Sequence, residues 1–309
     1  MLVKDPPVQV NDCLWMLGSN EYPLYFVRGE GQAAIFEGGV GAMGPLVLEQ
    51  MDELGIERES ITQLVIPHAH PDHVMAVPLL RETLPQVTVL ASEIAAGTLA
   101  HEKAIAMFLS IDEALTASLL KRGRITEAQR PKPFAEKKIP VDRVVKEGDT
   151  IEVDGLSFHV LQTPGHSDCS LSFHEPSRGI LFVSDAAGYY MPEHDALWPD
   201  YFGGLSPYLD SMERLAGLGA EILCLGHSAV VRGADAVATH FRRAMDATRA
   251  YHQRIVDEVK SGKPIRELAG QLGSEVYEKT PLLPLEFFQK NCNLLVKQSL
   301  KHEGISPDK

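Results

Sequence analysis

No stretch of this 309-residue chain is long and apolar enough to read as a membrane helix, which needs roughly 20 consecutive apolar residues. No basic-then-apolar leader follows Met1. Neither a membrane span nor a secretory signal is therefore expected, and the chain reads as cytoplasmic. Cysteine is scarce: Cys13, Cys169, Cys224 and Cys292 are widely scattered and form no C-x-x-C pair. That spacing offers no thiolate metal knuckle and points to buried free thiols. Positive charge is also short, with 29 Lys and Arg against 42 Asp and Glu and a formal charge of -13. A nucleic-acid surface would need a basic stripe to neutralise phosphates, so no nucleic acid partner is expected. No Gly/Ser linker divides the chain.

What remains, 44% hydrophobic and 23% charged, is the composition of an ordinary globular protein, long enough for one large domain with additions. The densest chemistry lies in Ile66-Pro67-His68-Ala69-His70-Pro71-Asp72-His73, directly after the apolar Leu64-Val65-Ile66. The apolar run reads as a short buried strand, and Val74 onward as the start of a helix. In an extended turn the alternate residues His68 and His70 can reach one ion, while Asp72 and His73 can face a second. Imidazole and carboxylate suit zinc, iron or manganese rather than calcium or magnesium alone.

Further ligands should then come from other strand ends. Three apolar runs finish in such a residue: Leu156–Leu161 before Thr163-Pro164-Gly165-His166, Gly179–Val183 before Ser184-Asp185, and Ile222–Leu225 before Gly226-His227. Glycine precedes two of them, where the backbone is expected to bend closely around an ion. His101, His159, His174, His194, His240, His252 and His302 stand outside these motifs and are read as structural or surface residues. Cys169, three positions past His166, is expected near the site.

In this order, His-X-His-X-Asp-His and then His, Asp and His, the chain resembles the metallo-β-lactamase superfamily over about residues 12–232. The resemblance implies an α/β fold, an αββα sandwich here carrying a helical insertion and a C-terminal helical extension. It implies two divalent metal ions, one on His68, His70 and His166, the other on Asp72, His73 and His227, with Asp185 bridging both. Two such ions roughly 3.5–4 Å apart generate hydroxide from a shared water and polarise a carbonyl. Asp72 would also hold the hydroxide's proton. Where many members have Asp-Gly, this chain has Glu37-Gly38-Gly39, which reads equally as an acid serving as an outer hydrogen-bond partner and as a plain turn.

Strands are expected over Cys13–Leu17, Leu24–Arg28, Ala33–Phe36, Val87–Leu90, Arg143–Val145 and Thr150–Val153, and a helix over Pro45–Leu54. Ser92–Leu120 carries apolar residues at helical spacing, which predicts one or two helices in an insertion over about 92–135. The stripe Val237, Phe241, Ala244, Ala247, Tyr251, Ile255 and Val259 predicts a long helix ending near Gly262. A short helix over Pro264–Leu272, a rigid Pro281-Leu282-Leu283-Pro284 connection and a helix over Leu285–Leu300 follow. The expected division is 1–233 for the catalytic domain and 234–309 for an extension packed on it. Insertion and extension could form a lid, a partner surface or the interface of a homo-oligomer, and the sequence does not choose.

The layout is similar to the PqsE-type acyl-coenzyme A thioesterase branch, on Asp12-Cys13-Leu14-Trp15-Met16-Leu17-Gly18, Phe36-Glu37-Gly38-Gly39, Gly165-His166-Ser167-Asp168 and the helical tail. Cys169-Ser170 departs from that branch, so its substrate is not carried over. The resemblance implies iron first, then zinc or manganese, and a small-molecule acyl thioester, ester or lactone as substrate. The aromatic run over residues 188–208 reads equally as a substrate wall and as core packing. Two alternatives stand beside the hydrolase: a regulatory protein on the same fold, and a di-iron oxygen or nitric oxide reductase. The second is disfavoured by His70, where those proteins have Glu, and by the lack of a Gly-rich phosphate loop.

Overall fold

The computed structural model describes residues 1–134 and 136–306. The expected ends of the insertion at 135 and of the extension at 307–309 fall outside them. Sixteen strands form, among the described residues, two seven-stranded sheets and a hairpin. β1 (Leu2–Val3) belongs to the second sheet. The first sheet runs in chain order through β2 (Val8–Gln9), β3 (Leu14–Gly18), β4 (Pro23–Arg28), β5 (Ala33–Phe36), β6 (Ile61–Val65), β7 (Thr88–Ala91) and β8 (Arg143–Val144). The second sheet adds β9 (Thr150–Val153), β10 (Leu156–Gln162), β11 (Leu171–Glu175) and β12 (Ile180–Ser184). After the hairpin β13 (Tyr189–Met191) and β14 (Ala196–Trp198), it is completed by β15 (Ile222–Leu225) and β16 (Val230–Arg232). Its order is β1-β16-β15-β12-β11-β10-β9.

β3, β4, β5, β12 and β15 read as apolar runs because both of their faces are buried, whereas β9 and β10 alternate. In β4, Tyr25 and Val27 point to the core between the sheets, while Leu24 and Phe26 join the core on the opposite face. In β12, Ile180 and Phe182 point inward and Leu181 and Val183 outward. Phe36 stacks on Phe182 across the sandwich at 4.3 Å and 9°; such a pair is worth about 0.5–1.5 kcal/mol beyond its buried area. The Tyr25 hydroxyl donates to the Leu225 carbonyl at 2.5 Å, tying the first sheet to the end of β15, where the candidate ligand His227 follows.

Helices cover both outer faces, giving the expected αββα sandwich. α1 (Met43–Leu54), α2 (Val77–Thr83), α3 (Glu93–Leu99) and α4 (Glu102–Lys121) share the outer core of the first sheet. α5 (Leu205–Ala216), α6 (Ala234–Lys260), α7 (Ile265–Lys279) and α8 (Leu285–His302) share that of the second. The insertion is thus two helices. Ser92 caps α3 by accepting from the Ala95 amide, and α4 is anchored where Asp112 accepts from the Gly41 amide at 2.6 Å. No helix among the described residues is long and apolar enough to cross a membrane.

Two elements differ from the sequence expectation. The expected Pro264–Leu272 helix continues to Lys279. Gly273 does not stop it, because that glycine faces α8: an added Cβ would lie 2.6 Å from the Gln289 Cα. Gly273→Ala should therefore force α7 and α8 apart and destabilise the protein by about 1–3 kcal/mol, read as a lower denaturation midpoint. The 188–208 segment is not a plain loop but the β13–β14 hairpin and the start of α5, turned by Asp195 at φ 45°.

Candidate metal centre

The ligand-bearing segments leave the ends of β6, β10, β12 and β15 and meet at one edge of the sandwich. Pro71 starts a single 3-10 turn over Pro71–His73, which brings the His73 ring to 4.2 Å from that of His68. The result is two groups, His68, His70, His166 and Asp185, and Asp72, His73 and His227, with the donor atoms of each group within 4.8 Å of one another. Asp185 lies between them. Its Oδ2 is 3.5, 3.2 and 3.3 Å from Nε2 of His68, His73 and His166, and its Oδ1 is 3.4 Å from Nε2 of His227. Asp72 Oδ2 is 3.7 and 3.6 Å from Nε2 of His73 and His227.

Three of the five imidazoles are oriented from behind. His73 Nδ1 donates to Glu37 Oε2 at 2.7 Å, His227 Nδ1 to the Glu21 carbonyl at 2.6 Å and His166 Nδ1 to the Asp200 carbonyl at 3.1 Å. With the Nδ1 proton committed outward, the Nε2 lone pair faces the centre. His166 Nε2 and His70 Nδ1 stand 2.9 Å apart, and the buried Nε2 atoms of His68 and His73 have no hydrogen-bond partner. Lone pairs gathered in this way, with two carboxylates, fit divalent cations and explain the orphaned nitrogens. Glu37 thus holds His73 from behind, one of the two readings of the acid-glycine pattern. Glu37→Gln should weaken metal affinity about tenfold, measured by competition with a chelator.

Electrostatics separate the imidazoles. Burial pushes His166 down to about 3 and also lowers His68 and His70, leaving them neutral, the form that ligates. Burial opposes charge on His73 and His227 as well. There Asp185, helped by Asp72 and, at His73 alone, by Glu37, outweighs it and holds both above the usual imidazole range.

The two glycines that precede ligands serve different neighbours. A Cβ on Gly226 would sit 2.3 Å from Asp185 Oδ1, so this glycine makes room for the carboxylate. Gly165, at φ 127°, instead lets the chain pass the backbone of Tyr208 on α5, where a Cβ would come within 2.3 Å. The close approach expected at these glycines is thus to a carboxylate at Gly226 and to a helix backbone at Gly165. Cys169 is buried beneath the site, where its sulfur accepts from the Ala69 amide at 3.4 Å, and all four cysteines are free and buried. His240 is buried against the Ala187 carbonyl, as expected of a structural histidine, whereas His252, His302 and Glu303 form a separate, largely exposed group.

The centre forms one end of a cavity of about 410 Å³. Its walls come from α4, from Trp198 and Phe202, and from Leu282, Leu283 and Phe288 of the C-terminal helices. The aromatic run divides: Tyr201 packs in the core, while Tyr189, Trp198 and Phe202 face the cavity. A larger cleft of about 1080 Å³ between α2, α4 and residues 130–134 and 136–140 touches none of the metal-site side chains. Nothing in the sequence marks Glu21 or Asp200 as partners, because each acts on a ligand through its carbonyl. The Asp200 carboxyl is itself buried at the cavity, with Oδ1 unpartnered, and burial raises it well above the usual carboxylate range.

Curated relatives match in part. A hydroxyacylglutathione hydrolase of Legionella pneumophila (strain Corby) is 38% identical over 53 residues, 17% of this chain and only about a fifth, 21%, of the relative. One from Erythrobacter litoralis is 28% identical over 145 residues, 45% of this chain and 55% of the relative. A metallo-beta-lactamase family protein from Thermus thermophilus superposes with a TM-score of 0.63 at 21% identity, covering 96% of this chain and 95% of its own, which shows a shared fold. The family pattern of the metallo-beta-lactamase superfamily matches residues 23–227, from β4 to the last of the clustered histidines, and the chain belongs to that superfamily.

Proposed function

We propose that this chain is a dinuclear metal-dependent hydrolase of acyl thioesters or related esters and lactones. The observation that carries this reading is the paired set of donors around Asp185 at the end of a walled cavity. Divalent cations held there would polarise a carbonyl and bring the pKa of water toward neutrality. His68, His70 and His166 would hold one, Asp72, His73 and His227 the other, and Asp185 both. Imidazole and carboxylate donors suit iron, zinc or manganese, and the similarity to the PqsE-type branch puts iron first.

The remaining work falls to the chain. Glu37 and the carbonyls of Glu21 and Asp200 keep the imidazoles from rotating. Asp72, with its side chain 27% exposed, is the most open of the carboxylates at the centre, and its Oδ2 would accept and hold the proton of the attacking water. The cavity walls limit bulk water around the scissile carbonyl.

Apart from the metal-site groups, the acid at the cavity is the Asp200 carboxyl, which burial raises well above the usual carboxylate range. Burial holds the phenols of Tyr22 and Tyr189 above their usual range, and no lysine lines the cavity among the described residues. A thiolate needs no acid to leave, so a thioester makes the smaller demand on this site, which favours it over an amide. The hydrolases named for hydroxyacylglutathione, itself a thioester, support the same class. In this reading residues 1–233 carry the chemistry and the helices after 233 roof it.

Elemental analysis of the purified protein, with turnover measured on acyl thioesters, lactones, a β-lactam and a phosphodiester, tests the proposal. Near two metals per chain with thioester or ester turnover is expected. Fewer than one metal after reconstitution, or turnover confined to the phosphodiester, would overturn it.

A further inference from the structure

Resting on the hydrolase reading above, we infer that the group this cavity takes is an uncharged, apolar acyl or aryl-acyl chain, and that the roof formed by α4 and the α7–α8 connection selects it. Phe108, Ile111 and Leu115 of α4 face the cavity together with Leu282, Leu283 and Phe288 of the C-terminal segment. Neither group lies near the other in sequence, and neither belongs to the strands that carry the metal-site residues. The two close one apolar chamber whose polar end is the metal centre.

Charge points the same way. No lysine or arginine lines the chamber among the described residues, and its ionisable groups outside the imidazoles and phenols are the acids Asp72, Asp185 and Asp200. An acyl group ending in a carboxylate or phosphate would be stripped of water along the walls with no cation to meet it. The apolar lining also continues outward to solvent. Met107 and Leu294 are 55% and 43% exposed, yet both line this chamber. Apolar side chains left open at the rim of an apolar chamber mark a binding surface more than a random exposure.

A single carrier thiol isolates the acyl group in the test. N-acetylcysteamine thioesters of acetate, lactate, butanoate, octanoate, benzoate and succinate are compared by kcat/KM with the metal-loaded protein. Apolar burial predicts a gain of about three- to fourfold per added methylene until the chamber is filled, so octanoyl should exceed acetyl by about 100-fold or more. Lactoyl and succinyl should fall at or below acetyl. Ile111→Lys places a cation in the roof and should cut the octanoyl-to-succinyl ratio at least about tenfold.

A binding measurement stands apart from turnover. Trp198 lines the chamber and the other tryptophan, Trp15, lies in the first sheet, so quenching of tryptophan emission reports occupancy. The non-hydrolysable S-octyl thioether of N-acetylcysteamine should bind at least about tenfold tighter than its carboxylate-ended analogue. Equal binding of the two, or lactoyl or succinyl turnover matching octanoyl, would overturn the inference while leaving the hydrolase reading in place. Tight octyl binding with no thioester hydrolysed by the loaded protein would overturn the hydrolase reading and uphold the apolar chamber.

Discussion

Asp185→Ala should lower thioester turnover by more than about 10³-fold, beyond the 10–100-fold typical for loss of an outer hydrogen-bond partner, and should leave the protein short of metal by elemental analysis. Asp185 is the one carboxylate that approaches four of the imidazoles, through both of its oxygens. Its removal takes a donor from each cation position at once and withdraws the negative charge that offsets two like charges held close together. The fold should survive, because Asp185 follows β12 rather than lying within it, and the β12 residues that pack the cores are unchanged. Circular dichroism should thus match the unmodified protein. Full turnover with a full complement of metal in this variant would remove the bridging role assigned to Asp185.

Gly226→Ala removes no donor and should still disable the centre. The new methyl would sit 2.3 Å from Asp185 Oδ1 and 2.9 Å from the Ser184 carbonyl carbon, so either the carboxylate or the end of β15 has to move. The Tyr25 hydrogen bond to Leu225 and the His227 bond to Glu21 hold the β15 end on both sides, which leaves Asp185 as the group displaced. A shift near 1 Å in a catalytic group costs about 10²-fold in rate, and overpacking costs about 1–3 kcal/mol of stability. Metal stoichiometry, turnover and denaturation midpoint measured on one preparation separate these effects. A Gly226→Ala variant with normal metal content and rate would show that Asp185 has room the structure does not indicate.

Legibility in the sequence followed the range of the interaction. The His68–His73 cluster reads at once because its members are neighbours in the chain, and β4, β5, β12 and β15 read as buried strands because two-sided burial leaves continuous apolar runs. The insertion helices read from the helical spacing of their apolar residues. Glycine misled at Gly165, read as a bend around an ion. It marks a place where something comes close, and the sequence does not say whether that neighbour is an ion, a helix or a backbone turn. The outer partners of His166 and His227 left no mark at all, since every residue has a carbonyl.

The order and kind of the donors and the helical character of insertion and tail were determined by the sequence alone, because periodicity and ligand chemistry are local properties; the layered sandwich was legible only through the family resemblance that the donor order carries. Tertiary structure alone decided which glycine serves the carboxylate, which aromatic residues fill the core and which face the cavity. It alone brought α4 and the α7–α8 connection over the centre. Those outcomes depend on segments distant in the chain being packed to contact, and close packing is settled by the shapes that meet rather than by the pattern of either one.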